Sequence, residues 1–465
     1  MTDPIRVAVV GHTNTGKTSL LRTLLRDTRF GNVSDRPSTT RHVEGARLLV
    51  DGEALVALFD TPGMEDAIAL LDYLDTLTPP GSRNDGPERI QRFLSSPEAR
   101  GRYEQEAKVL RQLLDSDAAF YVVDVRDPVL PKHRDELAIL ADCARPLLPV
   151  LNFVHASDSR EPQWREALAR AGLHAQVRFD TVAPEHGGER RLYEALATLL
   201  AHRRTQLERL IACRENDTRL RHLAAARLIA ELLIDIAAAR LRIGTDKEAA
   251  RTAVDTLHHA VRTREQRCVD ALLELYGFSR TDIHSAPLPL LDGRWEDDLF
   301  NPESLRAMGI SLGKGAAAGA AAGVGIDLIA GGLTLGAAAA LGALVGSTWQ
   351  SLSDYGDRLW GKLTGHRELT VDDSILRLLA ARQQQLLRAL AGRGHAALAP
   401  VELDIHEIRR WRKDTLPEPM TAARAHPEWS ALLASRGLDP SARQSAIDTL
   451  TDWITGDETE LPPAA

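Results

Sequence analysis

Gly11-His12-Thr13-Asn14-Thr15-Gly16-Lys17-Thr18 is a complete G-x-x-x-x-G-K-[ST] phosphate loop. It follows the apolar run at 5–10 and opens the helical pattern at 19–25. Glycines let the backbone wrap around a phosphate chain with its N–H groups pointing inward, and the N-terminal end of the next helix attracts anions. The stretch therefore predicts a strand–loop–helix unit that binds a nucleoside triphosphate.

Length and composition set limits on the rest of the chain. With 465 residues, the chain is long enough for two or three domains. The net charge of −8 argues against a nucleic acid as partner. Cys143, Cys213 and Cys268 lie far apart, without metal-ligand spacing, and the start of the chain carries no secretory signal. We therefore expect a cytoplasmic protein.

The first two hundred residues alternate strand-like and helix-like patterns. Glu44–Val50 and Glu53–Phe59 flank Asp51-Gly52, a strong signal for a β-hairpin. The stretches 118–125 and 147–154 are almost continuously apolar, as buried parallel strands are. Because such strands need helices on both faces of their sheet, residues 1–200 are predicted to form a doubly wound α/β domain.

From residue 201 the apolar positions recur with a helical period. We predict a helical region over 201–300, in which Thr245 and Glu248 resemble a capping box and Gly277 ends a helix. The remaining predicted segments are a Gly/Ala-rich segment over 301–365, C-terminal helices over 366–456 and a disordered tail over 457–465. The second part of the chain is therefore expected to be a mostly α-helical domain.

A second motif stands at the end of the hairpin's second strand. Asp60-Thr61-Pro62-Gly63 places a carboxylate where it can hold a magnesium ion and a glycine amide where it can meet the γ-phosphate. In the same site Lys17 would reach the terminal phosphates, and the Thr18 hydroxyl would bind the magnesium ion. The two motifs together predict magnesium-dependent nucleotide binding.

Between these motifs lies Arg36-Pro37-Ser38-Thr39-Thr40-Arg41-His42. Phosphate loop, TTRH, hairpin and DTPG, in this order, resemble an Era/TrmE-type GTPase of the translation-factor-related class. The resemblance implies GTP and GDP as ligands, and Thr40 as the magnesium-sensing threonine, with Thr39 as the fallback. The whole layout resembles a bacterial family that joins an Era-like G domain to a C-terminal domain of unknown function.

Two further residues refine the expected mechanism. Many small GTPases carry a glutamine after this glycine to orient the attacking water, whereas this chain has Met64. The resemblance therefore implies slow hydrolysis that a partner or self-association accelerates. In related GTPases an asparagine at the position of Asn14 helps to hold potassium, so we expect potassium-stimulated hydrolysis, with a merely structural Asn14 as the alternative.

The base-recognition motif departs from the family pattern. An Era-like protein should show N-K-x-D after the fifth strand, and this chain has Asn152-Phe153-Val154-His155. Only the asparagine matches. Asp158 comes three residues late, and Asp180-Thr181-Val182-Ala183 is a loose match to the second base-contacting loop. Guanine preference is therefore implied by the resemblance and not by these residues.

Two segments allow more than one interpretation. Residues 64–116 form a charged insertion at the second switch, either a solvated helical decoration or a lid that moves with the γ-phosphate. Gly309–Gly346 carries small residues at four-residue spacing, which predicts a helical hairpin. This hairpin either contacts or enters a membrane at its inner face, or packs inside a soluble helical domain.

The sequence as a whole predicts a regulatory GTPase switch that needs magnesium, with a protein effector and a nucleotide-dependent homodimer as expected partners. Three alternatives stay open: a dynamin-like membrane-remodelling GTPase, a ribosome- or RNA-associated assembly GTPase, and a P-loop triphosphatase without strict guanine specificity. The expected nucleotide-binding residues are Gly11, Asn14, Thr15, Gly16, Lys17, Thr18, Ser19, Asp60, Gly63 and Asn152. Lys17 and Thr40 are the expected catalytic residues, Thr18, Thr40 and Asp60 the magnesium ligands, and Asn14 the potassium ligand.

Overall fold

The computed structural model describes most of the first half of the chain and selected parts of the second. The described residues are 3–27, 30, 43–77, 85–182, 184–185, 187–243, 247–278, 290–291, 294–295, 299, 333–335, 367–391, 411, 415–432 and 440–456. They belong to two compact units, of which the first extends to Arg219 and the second begins at Leu220. Each unit is described by itself.

The first unit is built on a six-stranded sheet. Its strands are β1 (Ile5–Val10), β2 (Glu44–Val50), β3 (Glu53–Asp60), β4 (Ala118–Asp124), β5 (Leu147–Asn152) and β6 (Val177–Arg178). Their order is β2-β3-β1-β4-β5-β6, and all neighbours are parallel except the β2–β3 hairpin. Asp51 and Gly52 both have positive φ, 50° and 79°, as the predicted two-residue turn requires.

Helices cover this sheet. They are α1 (Lys17–Leu25), α2 (Ala67–Thr76), α3 (Gly86–Ser95), α4 (Glu104–Leu114), α5 (Pro131–Ala141), α6 (Glu161–Arg170) and α7 (Gly188–Leu199). Successive residues of β1 enter different apolar clusters: Val7 and Val9 pack with α1 and α7, whereas Ala8 and Val10 pack with α2 and α5. Because side chains alternate across a strand, the sheet is buried on both faces. This confirms the predicted doubly wound α/β domain.

The predicted insertion at the second switch folds into helices. It comprises α2, α3, a 3₁₀ turn at Glu98–Arg100, and α4, with 78–84 outside the described residues. Tyr73, Phe93 and Tyr103 pack against one another with ring centroids 5.7–6.3 Å apart. The insertion thus has an aromatic core of its own, continuous with the cluster around α5. Whether it moves with the nucleotide remains a prediction.

The second unit is mostly helical among its described residues, as expected. Helix α8 (Arg204–Ala238) begins in the first unit and is followed by α9 (Lys247–Leu275), α10 (Asp373–Ala391), α11 (Glu418–Ala423) and α12 (Pro440–Thr455). Gly277, with φ of 75°, follows α9 as predicted. Thr245, which was expected to cap this helix, lies outside the described residues.

Short strands are the feature of this unit that sequence patterns missed. Strands β7 (Arg240–Ile243), β10 (Leu333–Leu335) and β11 (Arg367–Val371) form an antiparallel sheet in the order β10-β11-β7, and β8 (Leu290–Leu291) pairs with β9 (Arg294–Trp295). Leu333–Leu335 was expected to be helical within the Gly309–Gly346 hairpin, and for these three residues that expectation is wrong. The strand forms because β11 offers an edge to pair with.

The rest of the Gly/Ala hairpin lies outside the described residues, as does the expected disordered tail over 457–465. Within the part of the chain that the structure describes, none of the helices has the length and apolar character that crossing a membrane requires. The membrane interpretation of Gly309–Gly346 therefore stays a prediction.

Asp235 forms a buried polar centre in the second unit. It lies on α8 and is 3% exposed. Its two carboxylate oxygens accept hydrogen bonds of 2.8 Å from the guanidinium groups of Arg264 on α9 and Arg443 on α12. One carboxylate thus joins three helices, and its removal would leave two guanidinium groups without their counter-charge.

We expect Asp235→Asn to lower the free energy of unfolding of this unit by about 2–4 kcal/mol, because the two arginines lose a buried ionic partner. Asp448→Asn is the matched control: Asp448 is exposed and pairs with Arg227 on the surface, where an ion pair contributes less than about 1 kcal/mol. Urea unfolding followed by circular dichroism measures both. Equal effects of the two substitutions would contradict the central role of Asp235.

Candidate nucleotide-binding site

The phosphate loop between β1 and α1 depends on backbone conformations that favour glycine. Gly11 and Gly16 have φ of 140° and 90°, and Asn14 has φ of 62°. A Cβ atom on Gly11 would lie 2.5 Å from the Val122 carbonyl oxygen, and one on Gly16 would lie 2.3 Å from Nδ2 of Asn152. Both glycines are therefore required by close approach as well as by φ, and the loop wraps tightly at the N-terminus of α1.

Lys17 is buried at the start of α1 and points back into the loop. Its Nζ donates to the carbonyl oxygens of Gly11 at 3.0 Å and His12 at 2.5 Å. Burial lowers the pKa of Lys17, and the carboxylates of Asp60 and Glu136 oppose this effect. The ammonium group is thus held inside the loop that would surround a phosphate chain.

Thr18 and Asp60 meet directly beside the loop. The Thr18 hydroxyl donates to Oδ2 of Asp60 at 2.6 Å, whereas Oδ1 of Asp60 is buried without a hydrogen-bond partner among the described residues. Burial raises the pKa of Asp60 to about 6, against the opposing effects of the Thr18 hydrogen bond and the Lys17 charge. A hydroxyl and a carboxylate with an unused oxygen are donors that magnesium prefers.

This donor set fits magnesium only as part of a larger coordination shell. Within the described residues, no group of three or more histidine, cysteine, aspartate or glutamate side chains could hold a metal ion. Magnesium commonly keeps few protein ligands and completes its octahedron with waters and substrate phosphates. Thr18 and Asp60 suit that arrangement.

Gly63 and Met64 connect β3 to the phosphate loop. A Cβ atom on Gly63 would lie 2.5 Å from Cγ2 of Thr13, and the backbone N–H of Met64 donates to the Gly11 carbonyl oxygen at 3.4 Å. The Met64 side chain is fully buried among the residues packed around α2 and α5. The residue that follows DTPG is thus a core residue, and the expected slow hydrolysis stays a prediction.

Asn152 is the centre of the hydrogen bonding at the end of β5. Its Nδ2 donates to the Thr15 carbonyl oxygen at 3.0 Å, and its Oδ1 accepts from the backbone N–H groups of Phe153 and Thr181, both at 2.9 Å. This fully buried side chain therefore joins the phosphate loop, β5 and the loop after β6.

The other residues of the expected base-recognition motif have different surroundings from those of Asn152. Phe153 has φ of 59° and lies under the guanidinium group of Arg126, 3.8 Å from its ring centroid. His155 and Asp158 are exposed. Asp180 is buried and accepts backbone hydrogen bonds from His155 at 3.4 Å and Val182 at 2.9 Å.

The other expected site residues fall into two groups. Thr15 is buried, and its hydroxyl donates to the His12 carbonyl oxygen at 3.0 Å, while Ser19 lies in the first turn of α1 and Asn14 is exposed in the loop. Thr39 and Thr40 lie outside the described residues. The expected role of Thr40 therefore stays a prediction.

A charge cluster joins the phosphate loop to α5 and was missed by sequence reasoning. It consists of His12 in the loop and of Lys132, His133 and Glu136 on α5. Nζ of Lys132 lies 2.8 Å from Nε2 of His12, and since lysine can only donate, this nitrogen must be the acceptor. The His12 Nδ1–H then faces Oε2 of Glu136 at 3.8 Å. The only available signal was the i, i+4 spacing of Lys132 and Glu136 on one helix face.

Burial dominates the pKa values of the charge cluster. It lowers the pKa of His12 and of His133 to about 4, with additional lowering by the Lys132 charge, and it raises the pKa of the fully buried Glu136. Both imidazoles are therefore neutral at pH 7. Nδ1 of His133 uses its lone pair to accept from the backbone N–H of Leu130 at the start of α5.

Comparison with known proteins identifies the families that the two parts of the chain match. The family described as "50S ribosome-binding GTPase" matches residues 6–153, and "Domain of unknown function (DUF3482)" matches residues 165–452. The fold and this first match identify residues 6–153 as a P-loop GTPase domain, which confirms the Era-type resemblance predicted from the sequence. Because the second match covers more than half of the chain, the protein belongs to the DUF3482 family.

Individual relatives match the N-terminal part. GTPase Der of Akkermansia muciniphila is 30% identical over 184 residues, which are 39% of this chain and 33% of that protein. GTPase Der of Campylobacter concisus is 26% identical over 35% of this chain and 27% of its own length. GTPase Era of Carboxydothermus hydrogenoformans is 24% identical over 42% of this chain and 54% of its own length. The chain therefore spans between about a quarter and about half of these relatives.

Two solved structures match with low overall similarity. A variant of Aquifex aeolicus Era bound to GDP.AlF4- is 17% identical, with a TM-score of 0.28, over 39% of this chain and 52% of that one. Era in complex with MgGDPNP and nucleotides 1506–1542 of 16S ribosomal RNA is 16% identical, with a TM-score of 0.29, over the same shares. The expectation that nucleic acid is an unlikely partner is not supported by the description of the family that matches residues 6–153.

The charge cluster predicts a pH dependence of stability. The pKa of His133 is about 4 in the folded protein, whereas an unperturbed histidine has a pKa of 6.5, so the unfolded chain binds the extra proton between these values. The free energy of unfolding should therefore fall as the pH drops from 6.5 to 5, by about 1–2 kcal/mol for this residue. Chemical unfolding at pH 7 and pH 5 measures the loss.

His133→Asn keeps an acceptor for the Leu130 N–H but cannot titrate, so the loss between pH 7 and pH 5 should be smaller in this variant. It should not vanish, because His12 titrates in the same direction. His174→Asn is the control, since His174 is not buried. An unchanged pH dependence in His133→Asn would contradict the assignment.

Proposed function

We propose that this protein is a regulatory switch that binds GTP and hydrolyses it slowly with magnesium, coupling its nucleotide state to the helical C-terminal region. The observation that carries the proposal is the pairing of the Thr18 hydroxyl with Asp60, whose second oxygen has no partner among the described residues, at the N-terminus of a helix that a phosphate loop opens. The family match to GTPases supports guanine nucleotides as ligands.

In the proposed mechanism Lys17 exchanges two carbonyl oxygens for phosphate oxygens. Its Nζ donates to Gly11 and His12, and a triphosphate would offer stronger, charged acceptors at the same end of the loop. Thr18 and Asp60 would hold the magnesium, which neutralises phosphate charge when bound. Gly63 supplies a backbone N–H to the γ-phosphate, and Thr40 is proposed to sense the same group.

The proposed low rate follows from Met64. Its side chain is fully buried, and a thioether cannot orient a water molecule as glutamine does. A protein partner or a nucleotide-dependent homodimer would then have to supply the missing group. Asn14, exposed in the phosphate loop, is proposed to help hold a potassium ion beside the phosphates.

Lys17→Ala should reduce kcat/KM for GTP by at least about 100-fold, because the principal charged donor to the phosphates is removed. Lys108→Ala is the matched control, since Lys108 is partly exposed and forms an i, i+4 pair with Glu104 within α4. Steady-state phosphate release measures both, and circular dichroism shows that each variant folds. Activity of Lys17→Ala within threefold of wild type would refute the proposed site.

The same assay with sodium in place of potassium tests the role of Asn14. Wild-type protein should hydrolyse GTP faster in potassium, and Asn14→Ala should show equal rates in both salts. Equal rates already in the wild-type protein would reject the potassium proposal and leave the magnesium-dependent switch standing.

A ribosome- or RNA-associated function is the second candidate, and the description of the family that matches residues 6–153 favours it. We expect any such binding to depend on the nucleotide, with RNA or ribosomes bound in the presence of a non-hydrolysable GTP analogue and released with GDP. Filter binding over a salt series measures this, because a genuine polyanion contact weakens steeply with salt. Absence of binding at low salt with either nucleotide would remove this candidate.

A further inference from the structure

Phe153 occupies the position that follows Asn152 in the base-recognition motif, where the family has lysine. Its backbone is in the left-handed region, with φ of 59°, which a bulky residue rarely adopts. The ring reaches the phosphate loop: its Cζ lies 3.5 Å from the position that a Cβ atom on Gly16 would take. The ring therefore lies at the carboxyl end of the strands, where doubly wound sheets bind their ligands.

One face of the Phe153 ring packs against Arg126, whose guanidinium group is held by Asp124. The guanidinium carbon of Arg126 lies 3.8 Å from the ring centroid. Asp124 accepts three hydrogen bonds from this guanidinium: from Nε to Oδ1 at 2.9 Å and to Oδ2 at 3.2 Å, and from Nη2 to Oδ2 at 2.6 Å. Asp124 and Asn152 are paired neighbours at the ends of β4 and β5. Asp124 thus fixes the guanidinium group of Arg126, and this group stacks on the ring of Phe153 beside the phosphate loop.

Among the described residues, this group of side chains lacks the acceptor that a guanine-specific site needs. The aspartate of N-K-x-D accepts hydrogen bonds from N1 and from the 2-amino group of guanine with two oxygens. His155 stands at its position and, when neutral, has at most one acceptor nitrogen. Its Nε2 lies 3.6 Å from Oε1 of Glu185, a carboxylate already paired with Arg178 and Arg191.

The nearby carboxylates do not replace it. Both oxygens of Asp180 already accept backbone N–H groups, from His155 and from Val182. Asp158, three residues after His155, is exposed. Asp180 is therefore committed to backbone groups and Glu185 to arginines, and Asp158 offers no buried acceptor.

We propose that this site holds the purine by stacking on Phe153 and does not read the 2-amino group, so that guanine and hypoxanthine nucleotides bind with nearly equal affinity. This inference rests on the proposed nucleotide-binding function and specifies its substrate class. Stacking on an aromatic ring accepts any purine, because every base has a π-face. Strong rejection of a ligand that lacks one amino group requires a buried acceptor that would be left unpaired, and His155 is exposed.

The test is equilibrium competition of GDP and IDP against a ribose-labelled fluorescent GDP on the full-length protein, with magnesium and potassium present. The diphosphates avoid hydrolysis during the measurement. We expect the Kd values of GDP and IDP to agree within about threefold. A GDP preference of tenfold or more would overturn the inference and leave the proposed function intact, whereas failure of both nucleotides to bind would refute the proposed function itself.

His155→Asp restores the two-oxygen acceptor and should raise the preference for GDP over IDP to tenfold or more. His174→Asp is the control for the change of charge, since His174 lies in the loop before β6 and should leave the ratio near one. A ratio that stays near one in His155→Asp would overturn the assignment of this position to the 2-amino side of the base.

Phe153→Leu tests the platform with an apolar side chain that has no ring. It should weaken GDP and IDP by the same factor, about tenfold, whereas Phe153→Tyr should bind both like the wild-type protein. Thermal unfolding of both variants separates loss of binding from loss of folding. Unchanged affinity in a folded Phe153→Leu would overturn stacking as the basis of binding.

Discussion

The close approach of Asn152 to the phosphate loop is the constraint on which the candidate site depends. Nδ2 of this residue donates to Thr15, and the same atom would lie 2.3 Å from a Cβ atom on Gly16. The loop can therefore take this path only with glycine at position 16 and an amide at position 152. Because Oδ1 also accepts from the loop after β6, one buried side chain sets the spacing of three segments. An unpaired amide at this depth would be costly, so each of these contacts favours the others.

Burial explains why the charges around this loop behave as one system. Lys17, Asp60 and Glu136 lie in the same low-dielectric region, and each has a pKa displaced toward its neutral form by burial. Their mutual attraction offsets part of that cost, and carbonyl oxygens of the loop accept the hydrogen bonds of Lys17. A bound triphosphate would add negative charge where Lys17 contacts carbonyl dipoles. The loop therefore holds a cation whose charge the carboxylates of Asp60 and Glu136 partly offset.

Local patterns in the sequence predicted the elements whose signals are contained within a few residues. The phosphate loop, the Asp51-Gly52 hairpin and the near-continuous apolar strands β4 and β5 all lie where they were expected, because each pattern reports on its own segment. Strands β7 and β11 were missed because their sequences are short and charged and because the two strands that pair, at 240–243 and 367–371, lie far apart along the chain. Sequence distance hides such pairing. The same holds for the candidate site. Lys17 and Asp60 belong to motifs that the sequence shows, whereas the charge cluster depends on the packing of α5 against the phosphate loop.

Hydrogen bonds connect the insertion after DTPG to the segment that contacts the phosphate loop. Glu106 of α4 is buried and accepts the backbone N–H groups of Glu65 and Asp66, both at 3.2 Å. Met64, one residue earlier, is locked in the core and bonded to Gly11. Any displacement of Gly63 toward a phosphate must therefore either break these bonds or carry α2 and α4 with it. Since interfaces packed this closely shift as units and do not deform continuously, we expect the insertion to move together with the second switch.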